Sequence, residues 1–192
     1  SMAEDLTSFR SQVQSWLSEH FPASLKANEA GVMESAFSEN GLSSDAEQWR
    51  QDLAEAGYGA PTWPREYGGA GLSDRDAAVL SSEMAKVGAF NPIPGLAGMG
   101  VTMVGPTVLE YGTEEQKLRH LPGIASGQVR WCLGLSEPNA GSDLASLTTI
   151  AQDDGDSWTV NGQKIWTSGA ERTQWGGAQE RTDASAKKRN GS

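Results

Sequence analysis

The sequence predicts an α+β fold, with an N-terminal all-α helical domain at residues 1–127 followed by the start of an antiparallel β domain at residues 128–170. Apolar residues recur at helical spacing through the first two-thirds of the chain, and the period becomes strand-like from about Gln128. The pair Asn161-Gly162 separates two runs of alternating apolar residues, which is the strongest short-range signal for a β-hairpin.

The first two helices are predicted from an apolar stripe and from a capping pattern. Apolar residues at helical spacing run from Leu6 to Phe21, and Pro22 bounds that helix. Ser44 and Glu47 form a capping box, which predicts a second helix that stops at Gly57.

Three further helical regions complete the first domain. Ser73 is predicted to cap a helix that stops at Gly88. Residues 91–111 are apolar and glycine-rich and contain a proline, so they predict two short helices or one kinked helix. Thr113 opens another capping box, and its short helix is expected to end near Pro122.

Short runs of alternating apolar residues predict the strands of the second domain. The candidate strands are 130–135, 147–152, 157–160 and 163–168. On the last of these, alternation places Lys164, Trp166 and Ser168 on one face, opposite Ile165 and Thr167. Residues 171–192 contain too few apolar groups to offset the entropy of ordering, so we expect a poorly ordered polar tail.

Composition excludes several classes of function. A net charge of −10 argues against nucleic-acid binding and weakens any case for binding anionic lipid. No apolar run approaches the roughly 20 residues of a membrane span, and no signal peptide is visible. The single cysteine, Cys132, fits a reducing compartment, so a cytoplasmic protein is expected. His20 and His120 are placed at helix ends without metal-ligand spacing, so no metal site is predicted.

The segment 133–143 changes from an apolar run into a loop of Pro, Asn, Gly and Ser residues. Backbone N–H groups in such a loop form concavities that bind anions. The hydroxyls of Ser136 and Ser142 stand near its two ends and can reach phosphate or ring heteroatoms. Taken alone, the segment fits either a cradle for a large anionic cofactor or an ordinary turn.

Several separated motifs resemble the acyl-CoA dehydrogenases, flavoenzymes that oxidise acyl thioesters. The segments L-S-E-P-N-A-G-S-D at 135–143 and N-G-Q-K-I-W-T-S-G at 161–169 carry the resemblance. The segments 63–73 and 111–117 are similar too, and all four occur in the family's order and spacing. The likeness extends over residues 6–170.

The resemblance implies a helical domain, a barrel-like β domain and a C-terminal helical bundle. It also implies an FAD-dependent dehydrogenation of an acyl-CoA thioester to a trans-2-enoyl-CoA. An electron-transfer flavoprotein is the implied electron acceptor. The full-length form is expected to be a homo-oligomer (a dimer or tetramer) or a hetero-oligomer.

The resemblance further implies which residues contact the flavin. Leu133 and Leu135 would offer backbone groups to the ring, while Trp166 would pack against it. Gly141 would let the backbone approach the pyrophosphate, and Ser142 would bind it while facing the acyl-CoA substrate. The full implied cofactor-binding set is Leu133, Leu135, Ser136, Gly141, Ser142, Trp166, Thr167 and Ser168.

In the family the catalytic carboxylate lies in the C-terminal bundle, and its position would fall beyond Ser192. We therefore expect this chain to be incomplete, to supply half a flavin site and no base, and to be inactive alone. Two alternatives remain open: a non-catalytic partner or scaffold subunit that completes a flavin site on another chain, and a flavin oxidase or monooxygenase on the same fold.

Overall fold

A computed structural model describes residues 1–133, 157–160 and 163–167. It shows a helical N-terminal domain followed by the start of a sheet domain, as the sequence predicts. The helices are α1 (Met2–His20), α2 (Glu29–Ala36), α3 (Ser44–Ala56), α4 (Asp74–Lys86), α5 (Ile93–Leu96), α6 (Gly105–Tyr111) and α7 (Glu114–Ala125). Short 3₁₀ turns at Ala23–Leu25 and Arg65–Tyr67 and a π-helical turn at Gly100–Val104 connect them. The strands are β1 (Trp131–Leu133), β2 (Ser157–Val160) and β3 (Gln163–Thr167). The predicted strand 147–152 and tail 171–192 lie outside the described residues.

The cap of helix α3 lies one residue earlier than predicted. The hydroxyl of Ser43 accepts the backbone N–H of Ala46 at 3.1 Å, and Ser44 is already helical. The predicted capping box needs the side chain of Glu47 to return to Ser44. Instead, the Glu47 carboxylate accepts two hydrogen bonds from the guanidinium of Arg50, and this ion pair takes the place of the predicted bond to Ser44. The predicted stop is confirmed, since Gly57 ends the helix at a φ of 77°.

The cap of α4 is confirmed, because the Ser73 hydroxyl accepts the N–H of Asp76 at 3.1 Å. The region 91–111 is broken into three pieces rather than two. Pro106 has no N–H to continue a helical ladder, and the chain widens into the π-helical turn just before α6. The hydroxyl of Thr107 donates to the carbonyl of Met103 at 2.9 Å, which satisfies one acceptor of that turn.

Helix α7 has the predicted capping box at Thr113, but the predicted end at Pro122 is wrong. The helix continues through the proline to Ala125, because its last turn buries Leu121 and Ile124 in the core. The gain from apolar burial there outweighs the lost backbone hydrogen bond. Helix α2 was not predicted, since Val32 and Ala36 are its only buried residues and give too weak a stripe.

The described strands form one antiparallel sheet in the order β1-β3-β2. Val160 pairs with Gln163, so only residues 161 and 162 join β2 to β3, and the predicted hairpin is confirmed. One face of the sheet packs on the helices. Trp131, Trp158 and Ile165 are buried on that face, in the same cluster as Val104, Val108, Leu121 and Ile124.

Strand β1 is attached to the helical domain by its own backbone. The N–H of Trp131 donates to the carbonyl of Ala97, and the N–H of Met99 donates to the carbonyl of Trp131, both at 3.0 Å. These bonds form a parallel bridge centred on Gly98. Gly98 has a φ of 64°, and a Cβ there would stand 2.5 Å from the Trp131 carbonyl oxygen. Only glycine adopts this positive φ readily and also lacks a Cβ that would clash with the carbonyl oxygen.

We expect Gly98→Ala to destabilise the protein more than Gly71→Ala does. Both residues have nearly the same positive φ, but a Cβ at Gly71 meets nothing closer than 3.6 Å. The left-handed conformation costs an alanine about 1–2 kcal/mol at either position. The clash at Gly98 adds about 1–3 kcal/mol to the loss in unfolding free energy. Urea denaturation measures the difference, and equal losses would show that the bridge yields without strain.

The cap of α3 gives a second test. Ser43→Ala should lower the unfolding free energy by about 1 kcal/mol, because it leaves the Ala46 N–H without its acceptor. Ser44→Ala is the matched control, and it should change the unfolding free energy by no more than about 0.5 kcal/mol. Thermal or urea denaturation measures both changes. If Ser44→Ala lowered the unfolding free energy more than Ser43→Ala, the result would favour the cap that the sequence predicted.

Candidate functional site

The outer edge of β1 presents unused backbone groups. In an antiparallel pair, successive residues turn their N–H and C=O groups to opposite edges. The groups of Trp131 point away from β3, since they bind Ala97 and Met99. Leu133 lies two residues after Trp131 on the same strand, so its N–H and C=O also project from that outer edge. Within the described residues, no hydrogen bond engages them. One donor and one acceptor therefore stand side by side where β1 leaves the ladder.

Trp166 lies on the opposite face of the sheet from the helical core. Alternation along β3 separates it from Ile165, which is buried, and groups it with Lys164, which is exposed. Its backbone is paired with Cys132. The backbone of Trp166 is therefore engaged within the sheet, whereas that of Leu133 projects from its outer edge. The two residues belong to adjacent pairs of the ladder.

Thr167 and Leu133 end their strands at opposite ends of the β1–β3 ladder. Thr167 pairs with Trp131, and Leu133 pairs with Ile165. The rise per residue and the spacing between strands place the two end residues about 8 Å apart. A ligand that touches both ends has to lie diagonally across the two strands. The predicted contacts Leu135, Ser136, Gly141, Ser142 and Ser168 lie outside the described residues, so their roles remain predictions.

His120 lies in the middle of α7 and not at a helix end, so its predicted placement is wrong. Its ring meets the indoles of Trp131 and Trp158 edge-on, with centroid distances of 5.4 and 5.8 Å. The Nε of Arg119 donates to its Nε2 at 3.3 Å. The indole N–H groups of both tryptophans are buried and have no hydrogen-bond partner among the described residues. The sequence does carry a signal for this contact, because His120 precedes the buried Ile124 by one helical turn.

Two arginines that sequence reasoning missed fix the approach to β1. Arg130 donates to the carbonyls of Gly95 and Leu96 at 2.9 and 3.4 Å, and its guanidinium lies 4.7 Å from the centre of the Phe37 ring. Arg50 is buried and donates to the carbonyl of Ser126 at 2.7 Å. Arg130 therefore satisfies backbone carbonyls at the end of α5, and Arg50 satisfies one just after α7. Neither pattern is visible in sequence, since the partners are backbone atoms 34 to 76 residues away.

The two most strongly perturbed titratable groups are structural and are not suited to proton transfer. Hydrogen bonds from Lys86, Gln14 and Arg10 lower the pKa of Glu83 to about 2. The Tyr67 hydroxyl donates to both carboxylate oxygens of Glu114, at 2.9 and 2.7 Å. That hydrogen bond, together with burial, raises the pKa of Tyr67 to about 12. A general base needs a pKa nearer the working pH.

Within the described part of the chain, no group of three or more His, Cys, Asp or Glu side chains is arranged to hold a metal ion. A search of those same residues finds no helix with the length and apolar character needed to cross a membrane.

Two domain families match the chain in succession. The family described as "Acyl-CoA dehydrogenase, N-terminal domain" matches residues 3–128, and "Acyl-CoA dehydrogenase, middle domain" matches residues 132–191. The chain belongs to the acyl-CoA dehydrogenase family. The resemblance seen in the sequence motifs is thereby confirmed.

Curated relatives in this family include two acyl-CoA dehydrogenases named IpdE1. The one from Mycobacterium tuberculosis is 39% identical over 176 residues, which are 90% of this chain and 43% of the relative. The one from Mycolicibacterium smegmatis is 36% identical over 201 residues, covering 97% of this chain and 49% of the relative. A solved structure titled "Tcur3481-Tcur3483 steroid ACAD" is 37% identical, with a TM-score of 0.48 over 88% of this chain and 41% of that one. This acyl-CoA dehydrogenase chain thus spans less than half the length of both IpdE1 relatives.

The buried carboxylate of Glu83 should give the chain an acid-sensitive stability. Its pKa in the folded state, about 2, lies below the ordinary value of 4.5. Its ionised form therefore stabilises the fold above about pH 4.5, and this contribution is lost as the pH falls toward 2. Glu83→Gln removes the charge, so the stability difference from the unmodified chain should be constant above pH 5 and shrink below it.

Urea denaturation between pH 2 and pH 7 measures this difference. Glu34→Gln is the matched control, since it removes one exposed carboxylate from α2. A stability gap between the unmodified chain and the Glu83 variant that does not depend on pH would contradict the assignment.

Proposed function

We propose that this chain is part of an FAD-dependent acyl-CoA dehydrogenase that oxidises an acyl-CoA thioester to a trans-2-enoyl-CoA. The observation that carries the proposal is the outer edge of β1. There the backbone of Leu133, which no described residue binds, stands beside the ladder pair of Trp166, in a chain that matches two successive domains of this family. The names of the curated relatives support the same reaction class.

The described residues fit a flavin. The edge of an isoalloxazine ring alternates hydrogen-bond acceptors with an N–H donor, and Leu133 offers one backbone donor and one acceptor on a single edge. Trp166, on the face turned away from the helices, fits the role of an aromatic wall. When bound, FAD supplies the acceptor for the hydride, and the protein's contribution is to hold and orient the reactants.

The remaining contacts follow from the family motif and are part of the proposal. Leu135 has the same parity as Leu133, so an extended chain would present its backbone to the same edge. Ser136 and Ser168 would donate their hydroxyls near the reactive side of the ring. Ser142 would bind the pyrophosphate and face the acyl-CoA, and Gly141 would allow close approach of the backbone there.

We assign no catalytic base to the described residues. Glu83 is held by three donors, and Glu114 accepts the Tyr67 hydroxyl, so neither carboxylate is available to take the α-proton of a thioester. The base is proposed to lie in another part of the full-length protein. An electron-transfer flavoprotein is the proposed acceptor, and the full-length protein is proposed to be a homo- or hetero-oligomer. We also propose domain limits at residues 1–127 and 128–170, with a polar tail at 171–192.

The flavin assignment is tested by Trp166→Ala in the full-length gene product that contains this chain. Loss of a stacked aromatic wall should weaken FAD binding by about tenfold or more. Lys164→Ala is the matched control, because it truncates a residue two positions earlier on the same face of the same strand. Flavin retention, measured by visible absorbance after gel filtration, should fall only in the tryptophan variant.

The reaction assignment is tested by anaerobic reduction of the bound flavin with acyl-CoA, followed by detection of enoyl-CoA. Reoxidation by air with stoichiometric peroxide would favour an oxidase on the same fold. Normal FAD binding by Trp166→Ala would overturn the flavin assignment. Enoyl-CoA formation only after addition of a different polypeptide would favour a partner subunit.

A further inference from the structure

A cleft of about 340 Å³ opens between the C-terminal halves of α1 and α4. Its apolar lining includes Leu17 of α1, Phe21 just after α1 and Val87 just after α4, and none of its lining residues belongs to the sheet. The volume is at the lower end of the range of about 300–1,000 Å³ that holds small molecules. Val87 remains 43% exposed, so the apolar wall is open to solvent.

The charged groups around this cleft are predominantly positive. Lys26 lines the cleft, and among the described residues its ammonium has no ion pair or hydrogen bond. Glu83 is the one acidic residue in the lining, and it is bound by Arg10 of α1 and Lys86 of α4. Two cations thus bind the one acidic residue of the lining, and Lys26 adds a third positive charge to the cleft, in a chain whose net charge is −10.

Glu83 is not available to a further cation. One of its carboxylate oxygens accepts from Arg10 and Lys86, and the other accepts from Gln14 at 2.7 Å. An incoming ammonium group would therefore have to displace one of these donors from a buried carboxylate. An incoming anion meets the ammonium of Lys26, which lines the cleft.

We propose that this cleft binds an amphipathic monoanion, a fatty carboxylate whose alkyl chain lies along Leu17, Phe21 and Val87 and whose head group pairs with Lys26. The apolar wall selects the chain, and the excess positive charge selects the head group. This binding site is separate from the proposed flavin site, and its occupancy does not depend on the redox reaction.

Calorimetric titration with decanoate tests the proposal on the full-length gene product that contains this chain. Saturable binding is expected, tightening by about fourfold for each methylene added from hexanoate until the cleft is filled. Decanol and decyltrimethylammonium carry the same chain with a neutral or a positive head group, and both should bind more weakly. A cation that binds as tightly as decanoate would overturn the proposal.

Two substitutions locate the ligand. Val87→Asp places a charge on the apolar wall and should weaken decanoate binding by about tenfold or more. Lys26→Gln removes the pairing ammonium and should weaken it by about two- to fivefold. Leu118→Asp is the matched control, since this α7 residue is 52% exposed and does not line the cleft.

The chain-binding site of the proposed enzyme is the competing location for decanoate. If decanoate bound at that location, an acyl-CoA would displace it, and the Val87→Asp variant would bind decanoate as tightly as the unmodified protein does. That outcome would overturn the cleft assignment and leave the dehydrogenase proposal intact. Weakened binding by Val87→Asp, with no competition from acyl-CoA, supports the cleft whatever the flavin experiments show.

Discussion

The backbone bridge between Gly98 and Trp131 is the constraint on which the arrangement of the two domains depends. Two hydrogen bonds fix β1 to the loop after α5, and they also set which edge of β1 points outward. The bridge requires a residue without a side chain at 98, because the φ is positive and a carbonyl oxygen lies against it. That fixed orientation also turns the backbone groups of Leu133 away from β3, where no described residue binds them.

Polar and aromatic groups hold the bridge in place from both sides. Arg130 binds the carbonyls at the end of α5, and Arg50 binds the carbonyl that follows α7. Beneath the sheet, the His120 ring lies against two indoles whose apolar surfaces are buried. Each of these contacts joins segments far apart in sequence, so together they define the position of the strands relative to the helices.

The sequence predicted the features that depend on local chemistry. The caps at Ser73 and Thr113, the stop at Gly57 and the two-residue hairpin follow from side-chain and turn preferences of a few neighbouring residues. The errors arise where distant contacts decide. Core burial carries α7 past Pro122, and Arg50 withdraws Glu47 from the predicted capping box. For the proposed flavin site, the sequence supplied residue types, whereas the register alone shows that the backbone groups of Leu133 point away from β3.

The parity of β1 makes chain length in this segment more important than side-chain identity. A substitution at Cys132 alters one side chain on the outer face and leaves every backbone direction unchanged. Insertion or deletion of a single residue between Trp131 and Leu133 would instead exchange the two edges of the strand. The donor and acceptor of Leu133 would then turn toward β3. Evolution of this segment is therefore expected to tolerate many replacements while preserving its residue count.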